Sequence, residues 1–600
     1  MKFNTTKILS FILCFMMIFG MAACQSESPE VSGNPEALYK AGMYTAVAKG
    51  NNGDVKVEVV FDDSSIVSVK VLEHSETQGL SDTPIQRIPE EIVSGQTLAV
   101  DTVSGATNTS KAILDAVEDC VKQAGGNADK LKEAKGTYNN TGNETVIDTD
   151  VVVVGGGGTG LVAAASAHEN GSDVIVLEKL AMAGGSTGLS GGGIGATDTK
   201  FQREEGIEDS KESWMQLWKE RQATSNPDSI YPDYEVVDRF MDEAVITTEW
   251  LVDYVGHEYG SIEGYGVDTV RRLHFPKEVD GKKGGAALIQ SITNFLNKNN
   301  IEIMTETKAT ELLVDDKGVV TGVVAEGKGG KIVINAKKVI LAAGGFAKNE
   351  ELLERFVPEM AGTAELSAAS AGTTGDGILM AERIGAALYE EPWIIGLSFA
   401  AKVDGTAAIS WDWTKVFVNE NGERFVNEDN HYAIITNKVA EQKSPWLILD
   451  SNEANASTIE SLEKALSTGE VVKADTFEEL AKSMGIPEDA FANTMKDYNS
   501  GAKSGTDALG KESDYLIPME KAPYYAVKMY PKTMGTFAGV KTNENYQVLR
   551  EDGTIIENLY AGGECANKIM YNQVYMSGSA VQFALTSGRI AGAHAAQNIK

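Results

Sequence analysis

The sequence predicts a large Rossmann-like α/β domain with a small α+β domain ahead of it, and three observations carry that reading. Residues 147–179, IDTDVVVVGGGGTGLVAAASAHENGSDVIVLEK, read as a strand, a glycine turn, a helix and a second strand. Residues 39–77 alternate apolar and polar side chains around a turn at NNGD, which is the pattern of a strand meander. The chain has 600 residues, 42% hydrophobic and 23% charged, with 61 glycines. That composition and length suit several globular domains and exclude a disordered, collagen-like or coiled-coil protein.

The amino terminus reads as an export signal over residues 1–23. Lys2 and Lys7 form a basic start, and Ile8 to Gly20 form an apolar run. A spanning helix needs about 20 apolar residues, so the run fits a signal peptide better. It ends in Met-Ala-Ala-Cys, which resembles a lipoprotein box with Met21 where an aliphatic residue is usual, so Cys24 is expected to carry lipid. Residues 24–36 are a polar Ser/Pro/Glu tether. This predicts a lipid-anchored protein on the outer face of the cell membrane.

Acidic residues number 86 against 53 basic ones, a net charge of −33. Such a surface repels phosphate backbones, which excludes nucleic acid as a partner. Beyond Cys24 the mature chain holds only Cys120 and Cys565. Two thiols make no disulfide framework, no ligand set has metal-site spacing, and there is no CxxCH for covalent haem.

The small domain spans residues 37–125. After the strands comes DTVSGAT (101–107), then a segment in which Ile113, Leu114, Val117 and Val121 share one helical face, with Thr109 or Ser110 as its expected cap. DTVSGAT resembles the attachment motif of exported FMN-binding domains. The resemblance implies FMN esterified to Thr107 by a flavin transferase, the helix N-terminus favouring the phosphodiester anion. His74 and Glu76 read as surface residues on a loop. Residues 126–147 are polar and read as a linker.

In the large domain, Gly155, Gly157 and Gly160 fill the G-x-G-x-x-G positions, and Glu178 ends the next strand. Glycines there let backbone amides approach a pyrophosphate, and the acid accepts ribose hydroxyls. Five further segments follow in order: AGGSTGLSGGG (183–193), VILAAGGF (339–346), TTGDGILMAERIGA (373–386), NGERFVNE (421–428), and NLYAGGE with SGSAVQFALTSGRIAG (558–564 and 577–592). Together they resemble the fumarate reductase/succinate dehydrogenase flavoprotein family, nearest its soluble flavocytochrome c and urocanate reductase branch.

The resemblance implies an FAD-binding domain of residues 148–390 and 528–600, with an inserted α+β capping domain of 391–527 and the active site between them. It implies FAD contacts by Gly155, Gly157, Thr159, Gly160, Glu178, Ser186, Thr187, Gly192, Ala309, Asp376, Glu564, Ala580 and Val581. Members with covalent FAD carry a histidine before the glycine loop. Residues 186–190 contain none, so FAD is expected to bind non-covalently.

The chain departs from the family where the substrate should sit. The family's proton-donating arginine, in NE-x-x-x-R, is replaced by Tyr432. Lys532 replaces a histidine, and Tyr575, or Val574 with a one-residue gap, replaces a second arginine. Glu391-Pro392-Trp393 replaces a further histidine motif, while Arg424 matches an arginine read as structural. Two guanidinium groups bind carboxylates in bidentate fashion, so their loss argues against a small dicarboxylate. The aromatics Tyr432, Tyr571, Tyr575, Trp393, Trp411 and Trp413 are expected to line the site instead, suiting a flatter and more apolar alkene.

Tyr575, in Tyr-x-x-Gly, also resembles the carbonyl-polarising tyrosine of 3-ketosteroid dehydrogenases. Catalysis is therefore assigned to Tyr432, Tyr575 and Lys532, with a phenol as general acid. His431 reads as surface and Cys565 as a small core residue. The expected function is an exported reductase that takes electrons from an extracytoplasmic or membrane donor through FMN and FAD to the C=C of an enone or enoate. The alternatives are a ketosteroid-type dehydrogenase and a non-catalytic flavin carrier.

Overall fold

The computed structural model describes residues 38–76, 81–103, 106–133, 144–400 and 413–599. The export signal, Cys24, the tether and Trp411 lie outside these residues.

The small domain is a three-stranded antiparallel sheet, β1 (Gly42–Lys49), β2 (Asp54–Phe61) and β3 (Ile66–Glu73), covered by α1 (Asp82–Gly95) and α2 (Thr107–Gln123). β2 is central, and its alternate residues Val55, Val57, Val59 and Phe61 are buried against Ile113, Val117 and Val121 of α2. This is the expected meander with its amphipathic helix.

Three expectations fail here. α2 begins at Thr107, so Thr109 and Ser110 lie inside the helix rather than capping it. Their hydroxyls tie down the preceding loops instead. Ser110 accepts from the Val103 amide at 3.0 Å and donates to the Ala106 carbonyl at 2.8 Å, and Thr109 donates to Glu76. Glu76 is buried, not a surface residue, and accepts the Asn51 and Asn52 amides at 3.0 and 2.8 Å. The polar segment read as a linker contains a helical turn, α3 (Ala128–Glu133), because Leu131 packs onto the small-domain core and its carbonyl accepts the Leu98 amide.

The large domain is organised on an eight-stranded sheet. β4 (Thr145–Val154) lies between β5 (Val174–Leu177) and strand Gly330–Leu341, parallel to both. A parallel strand covered on both faces needs a continuous apolar run, which Val151–Val154 supply. Strand Ile555–Ala561 pairs in parallel with Gly330–Leu341, which returns the carboxyl-terminal segment to the central sheet. Helix Ser579–Gln597 then packs along α4 (Gly158–Glu169).

Between these halves lies a second body. Its four-stranded antiparallel sheet runs in the order Val416–Val418, Trp446–Leu449, Tyr524–Lys528, Val471–Ala474. It continues into one antiparallel pair, Trp393–Ala400 with Tyr530–Phe537, that leads back to the large domain. Arg424 stays inside this body, held by Glu428 and Asp507. Among the described residues no helix is long and apolar enough to cross a membrane.

The small domain docks on the large one through α1. Arg87 pairs with Glu306 at 2.5 Å, Asp82 with Lys282 at 3.3 Å, and Ala181 packs against the small-domain core.

Candidate active site

A cavity of about 380 Å³ runs from the end of β4 to the strand pair that carries the second body. Its two ends are built differently.

At the first end the wall is backbone. Gly155 has φ +113°, and a Cβ there would lie 2.3 Å from the Ala342 carbonyl oxygen, so only glycine fits the turn. A Cβ on Gly160 would meet the Gly155 oxygen at 1.9 Å, which explains the third glycine as the contact between α4 and its strand. At Gly157 the nearest atom to an added Cβ is Gly185 Cα at 3.9 Å, leaving the amide side of the turn open to the cavity. This is a cradle for a pyrophosphate.

Glu178 is buried, with its carboxylate accepting the Gly156 and Leu180 amides at 2.9 and 2.8 Å; burial raises its pKa. Beside it Asp376, at a helix start, pairs with Lys179 at 2.5 Å and Lys308 at 3.3 Å. Lys179 and Lys308 are the only cations lining the cavity among the described residues, and both are paired with Asp376. Thr159, Ser186, Thr187, Gly192, Ala309, Ala580 and Val581 line the cavity with Gly155, Gly157 and Glu178; Gly160 stands behind the turn.

Midway sits Glu564, half-buried in the cavity wall. It accepts the Thr536 amide at 3.0 Å, and burial pushes its pKa up to about 7. Such a group can hold or release a proton near neutrality. Cys565 beside it is a core thiol, buried and pushed up to about 12. No histidine or cysteine lines the cavity among the described residues.

The second end is apolar and phenolic. Tyr265, Leu273 and Phe275 come from the hairpin Tyr259–Pro276, Ile395 and Leu397 from one strand of the connecting pair, and Met534 from the other. Tyr432 and Tyr575 close it, with ring centroids 6.1 Å apart. The turn Tyr575-Met576-Ser577-Gly578 brings the Tyr575 hydroxyl over the Gly578 amide, which donates to it at 3.0 Å. A Cβ at Gly578 would strike Leu273 at 2.3 Å. With its oxygen accepting that amide, the Tyr575 O–H is left to point elsewhere, and burial raises its pKa to about 12. Burial also holds the Tyr432 phenol well above its usual value.

Several sequence expectations need correction at this end. His431 is buried rather than on the surface, stacked on Tyr432 at 4.0 Å and capping helix Tyr432–Ala440 with Nδ1 accepting the Ala433 amide. Burial lowers its pKa to about 3, so it is neutral. Lys532 is not a lining residue, although it shares a strand face with Met534; half-burial lowers its pKa.

The aromatic set also divides. Tyr571 is a core residue, stacked on Phe537 at 4.2 Å and bonded to Ser579. Trp393 donates to Asn437, and Trp413 packs on Tyr515 away from the cavity. Sequence reasoning missed Tyr265, Phe275 and Ser577. The hairpin carries no motif, and only the Tyr-x-x-Gly turn hinted at Ser577.

This is the site of a flavin-dependent oxidoreductase: a dinucleotide cradle leading to an apolar, phenolic chamber. The described donors fit FAD at the cradle. The family model for an FAD binding domain matches residues 150–581 and that for an FMN-binding domain residues 50–122, and the chain belongs to this flavoprotein family in its fumarate reductase/urocanate reductase-like form. FAD and FMN are therefore its cofactors. The chain is 31% identical to a urocanate reductase of Eggerthella lenta, over 97% of this chain and 96% of that protein. It is 30% identical to an NADH:acrylate oxidoreductase of Vibrio harveyi over 93% of its own length, but spans only 61% of that protein. A crystal structure of a 3-ketosteroid-Δ4-(5α)-dehydrogenase from Rhodococcus jostii RHA1, with 4-androstene-3,17-dione, superposes with TM-score 0.60 at 28% identity, covering 75% of this chain and 97% of that one.

Proposed function

We propose that the chain reduces an activated C=C bond in a flat, largely apolar enone or enoate. The observation that carries this is the second end of the cavity, where the phenols Tyr265, Tyr432 and Tyr575 stand among Leu273, Phe275, Ile395, Leu397 and Met534 with no unpaired cation among the described lining residues. A dicarboxylate needs opposed guanidinium or imidazolium groups; an aromatic enoate or enone needs apolar walls and one good donor for its carbonyl oxygen.

Bound non-covalently at the cradle of Gly155, Gly157 and Glu178, FAD would supply the hydride chemistry for the β-carbon. Tyr575 donates its O–H to the substrate carbonyl, its own oxygen polarised by the Gly578 amide. Negative charge then gathers at the α-carbon as an enolate, and Tyr432 delivers the proton there. Both phenols stay protonated until that moment because burial disfavours the phenolate. Lys532, outside the lining, has at most an electrostatic part.

The small domain is the electron entry. Thr107 is exposed on the first turn of α2, where a transferase reaches it and the helix end favours a phosphodiester, so we assign covalent FMN to Thr107. An electron donor outside the cytoplasm, a lipid anchor at Cys24 and an outer-face membrane location complete the reading.

The test is an anaerobic acceptor screen. The doubly flavinylated protein is reduced chemically, and flavin reoxidation is followed with fumarate, urocanate, cinnamate-type acids and steroid enones. Fast reoxidation by an aromatic acid or enone, slowed about 10²- to 10⁴-fold in Tyr432→Phe, is expected. Fast reoxidation by fumarate would overturn the substrate class. The Tyr575 turn also favours a ketosteroid-type dehydrogenase; silence across the panel with fast flavin reduction by a saturated ketone would establish that direction. Silence in both directions would leave a flavin carrier.

A further inference from the structure

Behind Tyr432 lies a buried polar cluster that the reaction above does not use. Asp268 begins strand Asp268–Pro276, and Arg221 lies in the last turn of helix Lys211–Gln222. The two side chains, 13% and 8% exposed, form a two-point ion pair, with Arg221 Nη1 donating to Asp268 Oδ2 at 2.8 Å and Nη2 to Oδ1. The Ser577 hydroxyl reaches both Asp268 and Tyr432 and lies 3.5 Å from His431 Nε2. His431 Nε2 is itself 3.9 Å from Asp268 Oδ2. Tyr432, Tyr575 and Ser577 all line the cavity, so the cluster opens on the reacting end of the chamber.

Ser577 has one hydroxyl hydrogen and two acceptors for it, the Asp268 carboxylate and the Tyr432 oxygen. While Tyr432 is a phenol, the carboxylate is the stronger acceptor and holds that hydrogen. Once Tyr432 has given up its proton, its half-buried phenolate outcompetes a carboxylate already held at two points by Arg221. The two arrangements differ by a rotation of one hydroxyl.

We infer that Ser577 and Asp268 form the proton path that recharges Tyr432, with Arg221 fixing Asp268 in place. With the hydride for the β-carbon coming from the reduced flavin that the cradle would hold, the Tyr432 O–H bond breaks as its proton joins the α-carbon. The Ser577 O–H proton passes to the phenolate oxygen; a solvent proton entering past the partly exposed hairpin then joins the Asp268 carboxylate and passes from it to the Ser577 oxygen, which leaves Asp268 ionised again as its pairing with Arg221 favours. The net transfer is one solvent proton to carbon, and the reverse sequence serves dehydrogenation. Asp268 and Ser577 are positioning and relay groups; neither replaces Tyr432 as the acid.

The relay rests on the reading of Tyr432 as the acid, and the test separates the two. Ser577→Ala, Ser577→Thr, Asp268→Asn and Tyr432→Phe are compared as holoenzymes, each first checked for wild-type flavin content, with the acceptor that reoxidises the wild type fastest. Ser577→Ala is expected to lower kcat about tenfold or more with KM within about twofold, and Ser577→Thr, which keeps the hydroxyl, to restore most of the rate. A second readout needs no turnover. In oxidised holoenzyme labelled with ¹³Cζ-tyrosine, the signal absent from Tyr432→Phe is expected to move in Ser577→Ala, while the Tyr575 signal stays. Full activity of Tyr432→Phe would overturn the reading of the acid, and the relay with it. An inactive Tyr432→Phe beside a fully active Ser577→Ala would overturn the relay alone. So would a slow Ser577→Ala that threonine fails to rescue and whose Tyr432 signal is unmoved. Asp268→Asn with full flavin content is expected to be slowed as Ser577→Ala is, and full activity there would likewise overturn the relay.

Discussion

The two ends of one cavity use opposite strategies. At the cradle, recognition is by main-chain amides and by charges already paired, Asp376 with Lys179 and Lys308. At the chamber, it is by side chains from separated segments, the hairpin, the connecting strand pair, Tyr432 and the Tyr575 turn, with the polar atoms confined to a few hydroxyls. The first arrangement tolerates almost no change of backbone and is indifferent to what the enzyme reduces. The second keeps its backbone ordinary and varies its side chains, so it is where specificity is set.

The sharpest contrast is Gly155→Ala against Tyr432→Phe. In Gly155→Ala the new Cβ has nowhere to go, 2.3 Å from a carbonyl at a φ of +113°. FAD content of the purified protein should fall to near zero, with a stability loss of about 3 kcal/mol or more. Tyr432→Phe should keep full FAD absorbance and lose only turnover. Equal flavin content in both variants would break the distinction.

Tyr575→Phe comes next. It removes the carbonyl donor and strands the buried Gly578 amide. A rate loss of about 10²-fold is expected alongside about 1–3 kcal/mol of stability, read by steady-state kinetics and thermal melting. A variant slowed without any loss of stability would show that the amide has another acceptor.

Glu564 lies between the two regions and tests them by pH. Its folded pKa, near 7, exceeds the ordinary carboxyl value, so the folded state binds the extra proton. Its contribution to stability should be fully present below about pH 4.5 and fall as pH rises from about 4.5 to 7, by on the order of 3 kcal/mol. Denaturation midpoints of flavin-free protein should show this slope, and Glu564→Gln should flatten it. The opposite slope would mean that the carboxylate is stabilised in place.

The smallest effect is expected at the docking surface of the small domain. Arg87 and Glu306 are partly exposed, 15% and 28%, and such pairs contribute about 0–1 kcal/mol. Arg87→Ala should shift melting by no more than that, and salt should shrink the difference further. A large, salt-independent loss would show that Arg87 secures the DTVSGAT loop through its bond to the Asp101 carbonyl.

Much of the cradle was legible because a backbone site is contiguous in sequence. The turn from Gly155 to Gly160 is an unbroken run, and a glycine leaves the same mark wherever a Cβ is forbidden. Tyr432 and Tyr575 were legible only as departures from a pattern. Most of the errors share one cause: side-chain direction. His431, Tyr571, Trp393 and Glu76 have residue types that suit either a surface, a core or a site, and only packing assigns which. Thr109 and Ser110 were misread because their hydroxyls bond to loops that fold back over the helix start, an arrangement no local window contains.

The class of cofactor, the Rossmann-like sheet, the meander and helix of the small domain, and the absence of the paired arginines are each written in a contiguous run or in a residue type, and the amino-acid order alone settles them. Packing in three dimensions decides which aromatics line the cavity, that the hairpin at Tyr265 and Phe275 forms part of its wall, and that Arg221, Asp268 and Ser577 meet behind Tyr432. Those residues stand far apart along the chain. Their meeting is set by the packing of buried surfaces, and burial is also what fixes their protonation.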